Sequence, residues 1–258
     1  MSNRHFGIGA DGIVVINKDK NADCYMKMYN NDGSEGDMCG NAIRCITKYI
    51  YERYKNDNEI KKILINTNSG IKITKVYLED GYVKNIKVDM GKPIFDTNKI
   101  PIKLNGYKEV VNKQINIDEY KFSITCVSIG NPHVVCILNK GLKLEKLDIE
   151  RVGKKIQSLS IFPSGVNVEF VEILNKNLIK MYVYERGTGR TLPCGTGACA
   201  VVASLVKNNY CNFNEDIEVV LEGGKLNIRY EELTNIIYMT GTAKFVFKGE
   251  YEYEQWKN

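Results

Sequence analysis

Two stretches decide the fold: YNNDGSEGDMCGNAIRCI at residues 29–46 and YERGTGRTLPCGTGACAV at residues 184–201. Each opens on a Tyr, reaches a Cys-Gly pair ten residues later and continues into an apolar run with helical spacing. This duplication argues for two matched strand, loop and helix units that present a pair of opposed thiols, Cys39 and Cys194. A sulfur just ahead of a helix lies beside unpaired backbone N–H groups and the positive end of the macrodipole, which favour a thiolate. The same N–H groups can hold a carboxylate. Two such helix starts facing one cavity would grip one carboxylate and flank its α-carbon with two sulfurs, a geometry suited to removing a proton from one face and returning it from the other. Taken singly, either thiol is more often a buried core residue than a catalyst; the repeat shifts that balance.

The chain has 258 residues, 43% of them hydrophobic, enough for one large domain or two of ordinary size, and the duplicated motif favours two. The excess of 36 Lys and Arg over 31 Asp and Glu gives a net charge of +5, but the basic residues are dispersed among acidic ones. That distribution argues against a nucleic-acid or membrane surface. No apolar run approaches the ~20 residues that span a bilayer, and the start MSNRHFGIG lacks an apolar signal core, so the chain is read as cytoplasmic. The eight cysteines are read as reduced thiols. No CxxC pair occurs and the two histidines stand far apart, so no metal site is expected. Cys24, Cys45, Cys126, Cys136, Cys199 and Cys211 are read as core.

Short β-branched runs mark strands at 13–16, 24–29, 63–67, 71–76, 83–89, 122–129, 134–138, 166–173, 179–184, 217–221, 225–230 and 245–247, with hairpin turns at 68–70, 80–81 and 223–224. The sheets should be largely antiparallel. Helices are expected at 40–53, with Ile43, Ile46 and Ile50 on one face, at 197–206, apolar all round and fully buried, and at 148–159, amphipathic. A seam falls at 90–98, where Gly91 and Pro93 interrupt the pattern. Residues 7–12, GIGADG, satisfy GxGxxG, but the run that follows is a strand rather than a helix, so a dinucleotide site is rejected and the glycines are read as loop residues near the substrate mouth.

The motifs RHFGIGADG (4–12), YNNDGSEGDMCGNAIRC (29–45), GNPH (130–133), GVNVEF (165–170) and YERGTGRTLPCGTGACA (184–200) together resemble the diaminopimelate epimerase family across essentially the whole chain. The resemblance implies an α+β fold of two pseudo-symmetric domains, each a mixed, barrel-like sheet wrapped around a central helix, with the active site in the cleft between them. The halves are placed at 1–92 plus 242–258, and at 93–241. It implies cofactor-independent epimerisation of LL-diaminopimelate to the meso form, with Cys39 and Cys194 as thiolate and thiol. His133 and Glu185 match residues beside the thiols that orient substrate and set protonation. Backbone N–H groups of Gly40, Asn41, Gly195 and Thr196 match those holding the reacting carboxylate, and Asn30, Asn131, Asn167, Glu185 and Arg186 those reading the distal end. A homodimer that closes on its small-molecule substrate is implied as well.

Family members carry a strand and a GNDF-type loop ahead of the first motif, whereas here Met1 stands almost directly before RHFGIG. The expectation is a first half short of its initial strands, with an open sheet edge and one substrate contact missing. Arg190 and Pro193 are smaller variations on the family pattern. Three alternatives stay open at this level: a related racemase for another amino acid such as histidine or proline, a thiol redox protein, and a non-catalytic binding remnant.

Overall fold

The computed structural model describes residues 1–36, 38–55, 62–104, 106–139, 141–192 and 194–251. Burial recurs at every second position, as in Lys62–Thr67, where Ile63, Ile65 and Thr67 are buried, the period expected of a strand with one covered face. In chain order the elements are β1 (Gly12–Asn17), β2 (Cys24–Asn30), β3 (Glu35–Gly36), α1 (Gly40–Ile50), β4 (Lys62–Thr67), β5 (Gly70–Glu79) and β6 (Tyr82–Gly91). Then come β7 (Lys113–Ile117), β8 (Tyr120–Ser128), β9 (Pro132–Leu138), α2 (Ile149–Gln157), β10 (Asn167–Asn175), β11 (Leu178–Glu185) and β12 (Gly189–Thr191). The last are α3 (Gly195–Lys207), β13 (Asp216–Leu221), β14 (Gly224–Glu231) and β15 (Ile236–Gly241).

All the strands join one sheet in the order β1-β2-β4-β5-β6-β15-β14-β13-β11-β10-β9-β8-β7, with β3 on β2 and β12 on β11. The pairings are antiparallel except β2 with β4, β9 with β10 and β11 with β13. The two quoted stretches therefore belong to matched units. In each, a strand receives a short returning strand (β3 or β12), a helix crosses over, and the next strand pairs parallel to the first. Antiparallel meanders β4-β5-β6 and β13-β14-β15 follow, and their last strands pair with each other. The α+β reading with two pseudo-symmetric halves holds, with the refinement that the halves share one continuous sheet.

Strands β8, β9 and β10 read as nearly unbroken apolar runs because both their faces are covered. Val127, Val135 and Val171 face the core that contains α3, while Cys126, Val134, Cys136 and Phe170 face a second core closed by Ile149, Val152 and Ile156 of α2. Gly153 of α2 has a packing reason: a Cβ there would lie 2.6 Å from Cγ of Tyr184, so the helix rests directly on the ring that precedes Glu185.

Several expectations need correction. α1 ends at Ile50 and continues as a wider π turn, Tyr51–Lys55, instead of running regularly to residue 53. Cys45 is exposed, since Ile43, Ile46 and Ile50 take the buried face of α1. Residues 245–247 form no strand; Phe245 and Phe247 are exposed, and with Val14, Ile16, Ala42 and Ile46 they line a cavity of about 510 Å³. The strand that joins the halves is β15, which went unrecognised in the sequence together with β3, β7 and β12. Among the described residues no helix is long and apolar enough to cross a membrane.

β15 also sets the positions of the two helix starts. A Cβ at Gly40, the first residue of α1, would lie 2.7 Å from Met239 Cε, and one at Gly195, the first residue of α3, 2.9 Å from Met239 Sδ. Met239 is wholly buried, so both helices start against a single side chain. Overpacking at such a point destabilises by about 1–3 kcal/mol, and truncating a buried methionine by about 2–5 kcal/mol. Gly195→Ala should therefore be costly in the native chain and nearly neutral in a Met239→Ala background. Urea unfolding of the double-mutant cycle should give a coupling above about 0.5 kcal/mol; simple additivity would contradict the shared contact.

Candidate active site

Cys39 and Cys194 are the N-cap residues of α1 and α3, with nearly identical backbone angles: φ −134°, ψ 116° at Cys39 and φ −129°, ψ 103° at Cys194. Their helices start side by side, since Asn41 Oδ1 lies 3.8 Å from the point where a Cβ of Gly195 would stand. Matched local sequence thus becomes matched geometry, with one sulfur at each of two adjoining helix N-termini. Asn41 Oδ1 is buried and accepts no hydrogen bond among the described residues.

The environments of the two sulfurs differ. Cys194 is buried, and its Sγ accepts from the Gly197 N–H at 3.3 Å and lies 3.6 Å from Thr196 Oγ1. Burial, and then the carboxylates of Glu185 and Glu169, push its pKa well above the ordinary thiol value; the Thr196 and Gly197 contacts pull only weakly the other way. Cys39 is half-buried and makes no capping bond through its side chain. One turn along α1, Arg44 is buried and has no carboxylate partner among the described residues. Its Nε donates to Thr242 O at 3.1 Å, and its Nη1 reaches Gly40 O at 3.4 Å and Met239 Sδ at 3.5 Å. Burial lowers the Arg44 pKa, while its interactions with Cys45, Cys39 and Cys199 raise it.

A chain of polar side chains runs from the interior to Cys194. His133, at the start of β9, is fully buried; its Nδ1 lies 2.7 Å from Glu169 Oε1 on β10 and its Nε2 lies 2.9 Å from Asn131 Oδ1. Asn131 Nδ2 donates to Thr196 Oγ1 at 3.5 Å. Parallel pairing sets His133 opposite Asn167, whose Nδ2 donates to Pro132 O at 3.2 Å and whose Oδ1 accepts from the Arg186 N–H at 2.9 Å. Glu185 ends β11 and accepts from the Thr191 hydroxyl on β12; burial is the main cause raising its pKa. The Arg186 side chain is exposed, lies over Gly165 and donates from Nη1 to Ser164 O at 3.2 Å.

The structure therefore gathers Cys194, Glu185, His133, Asn131, Asn167, Arg186, Gly195 and Thr196 into one contact network, and it brings Gly40 and Asn41 to it through Met239 and Gly195. Asn30 stands apart at the exposed end of β2, where its Nδ2 donates to Ser34 Oγ at 3.0 Å. The glycine loop leads into β1, whose Gly12 pairs with Asn30, so this loop ends beside the Asn30 end of β2. Arg190 forms an ion pair with Glu222 at 2.6 Å, and Pro193 lies outside the described residues. Sequence reasoning missed Arg44, Glu169 and Met239. Glu169 alone carried a usable signal, an acidic residue set among Val166, Val168, Phe170 and Val171.

Comparison with known proteins places the chain in a family. The family model "Diaminopimelate epimerase" matches residues 1–95 and 125–246. A diaminopimelate epimerase of Acetivibrio thermocellus is 43% identical over 97% of this chain and 86% of its own length. One of Carboxydothermus hydrogenoformans is 45% identical over the same shares, and one of Methanococcus maripaludis is 43% identical over 97% and 87%. Among solved structures, a hydroxyproline epimerase from Agrobacterium vitis aligns with TM-score 0.64 at 17% identity, covering 90% of this chain and 72% of that one. A predicted epimerase from Pseudomonas aeruginosa aligns with TM-score 0.66 at 11% identity, covering 93% and 83%. These two likenesses concern the fold. With the family model on most of its residues and relatives above 40% identity along nearly all of it, the chain belongs to the diaminopimelate epimerase family.

Proposed function

We propose that Cys39 and Cys194 carry out the epimerisation of LL-diaminopimelate to meso-diaminopimelate, a step toward lysine and peptidoglycan precursors, without a cofactor. The observation that carries this reading is the pair of cysteines with the same N-cap geometry on adjoining helix starts. One sulfur, as thiolate, takes the α-hydrogen as a proton, and the C–H electron pair stays on the α-carbon. The other sulfur, as thiol, delivers its proton to the opposite face and is left as the thiolate. Nothing is oxidised or reduced, and the enzyme ends with the charge on the other sulfur.

The α-carboxylate lies between the first N–H groups of α1 and α3, at Gly40, Asn41, Gly195 and Thr196, where the helix termini also stabilise the charge that develops on the α-carbon. The unpartnered Asn41 Oδ1 is an acceptor available to the α-ammonium. Asn30, Asn131, Asn167, Glu185 and Arg186 read the distal amino and carboxylate groups, with Arg186 suited to a carboxylate. Closure of the halves on substrate excludes water and strengthens these fields. A homodimer and a cytoplasmic location accompany this reading from the family likeness.

In D₂O, the reduced protein with LL-diaminopimelate should form the meso isomer carrying deuterium at the inverted α-carbon, read by mass spectrometry and stereochemical analysis. Cys39→Ala and Cys194→Ala should each lower turnover by roughly 10²- to 10⁴-fold with the fold retained; full activity in either variant would sink the assignment. Because the Glu185 carboxylate raises the Cys194 pKa, removing its charge must lower that pKa. In a Cys39→Ala background, adding Glu185→Gln should move the pH profile of Cys194 alkylation by iodoacetamide to lower pH. An unchanged profile would show that Glu185 does not act on this sulfur.

A further inference from the structure

Glu169 is the residue of the site that the two-thiol chemistry leaves unexplained. It lies in the middle of β10, whose first six residues are all buried; its side chain is wholly inaccessible, and Oε2 has no hydrogen-bond partner among the described residues. A valine there would fit the strand and avoid the several kcal/mol that a buried carboxylate costs. The carboxylate also approaches the first turn of α3: a Cβ at Gly197 would stand 3.0 Å from Glu169 Oε1 and 3.1 Å from Cys194 Sγ. Glycine thus leaves the carboxylate and the sulfur room that any side chain there would crowd.

The hydrogen bonds fix a direction. Asn131 donates through Nδ2 to Thr196 Oγ1, so its Oδ1 is the atom facing His133 and must accept from Nε2–H. With Nε2 protonated, the short contact between Nδ1 and Glu169 Oε1 holds a single further proton, whether it sits on the ring or on the carboxyl. In either form the pair is neutral overall, and Nε2 stays a donor. Thr196 Oγ1, occupied as an acceptor by Asn131, has its own hydrogen free for Cys194 Sγ.

We propose that Glu169 is a positioning residue of this site: by holding a proton at His133 Nδ1 it fixes the Nε2–H form of the imidazole, which orients the Asn131 amide and turns the Thr196 hydroxyl toward Cys194 Sγ as a donor. This rests on the two-thiol reading, to which it adds the device that gives the Cys194 thiolate its hydrogen bond. Without the carboxyl, Nδ1 has no partner, the imidazole can place its proton on either nitrogen, and the amide and hydroxyl lose their common direction.

The test compares Glu169→Gln with Glu169→Leu. Glutamine can donate an amide N–H to Nδ1 and preserve the direction of the chain, whereas leucine keeps the volume and removes the polar contact. The protein has only two histidines, His5 and His133, so ¹⁵N-imidazole NMR resolves the buried ring. Glu169→Gln should keep the Nε2–H form and a kcat close to the parent value. Glu169→Leu should show a mixture of tautomers and a kcat lower by roughly 10- to 100-fold with KM little changed. Glu169→Met replaces leucine if that variant does not fold. A leucine variant with parental kcat and tautomer, or a glutamine variant as impaired as leucine, would overturn the proposal. The NMR readout needs no turnover, so a failure of the epimerase reading is separable from a failure of this one.

Discussion

Met239 is the contact on which the arrangement of the site depends. Two helices can bring their N-termini together only if the residues there leave room, and Gly40 and Gly195 do so by presenting no side chain to one buried thioether. Methionine suits this position because its unbranched, polarizable side chain can fill an irregular gap between two backbones. Met239 lies on β15, which pairs with β6 on one side and β14 on the other. The contact that aligns the two cysteines is thus part of the hydrogen-bonded seam between the two repeat units.

The electrostatic balance at Cys194 can be judged from magnitudes. A helix N-terminus contributes up to about 2 kcal/mol to an anion, equivalent to roughly 1.5 pKa units, whereas full burial can shift a group by up to about 3–5 units. Burial and the nearby Glu185 carboxylate therefore prevail over the helix terminus and the Thr196 and Gly197 donors, and the Cys194 pKa lies well above the ordinary thiol value. Cys39 has the same backbone geometry with more exposure, and the neighbouring charge on its helix is the Arg44 guanidinium, not a carboxylate. The two sulfurs thus share a backbone geometry and differ in the charged side chains set beside them.

Much of this was legible in the chain. The repeat located both cysteines, both helix starts and the matched strand, loop and helix units, because a Cys-Gly pair ahead of an apolar helical run has few alternative conformations. The polar set around His133 could be named from its motifs, but its connectivity could not, since it depends on the parallel pairing of β9 with β10, a long-range choice. β15 was missed although Ile237, Met239 and Gly241 alternate inward, while 245–247 was taken for a strand on its short apolar, β-branched run. Both composition and period describe side chains and say nothing about whether a neighbouring strand is available. Cys45 was misjudged for a related reason: being one position from a buried residue on a helix turns a side chain by about 100°, onto the opposite slope.

The pairing of β6 with β15 has a consequence that concerns symmetry. A half-length chain containing one strand, loop, helix and meander unit could assemble the same seam as a two-fold dimer, its last strand pairing antiparallel with that of a second copy. Such a dimer would have one thiol per copy, and its two thiols would be equivalent by construction. Joining both units in one polypeptide removes that equivalence. The unit around Cys194 can then hold Glu169 and Glu185 while the unit around Cys39 holds Arg44, so that substitutions in one copy need not be mirrored in the other. An enzyme that discriminates between two mirror-related faces of a carbon atom gains from a scaffold in which those faces no longer meet identical surroundings.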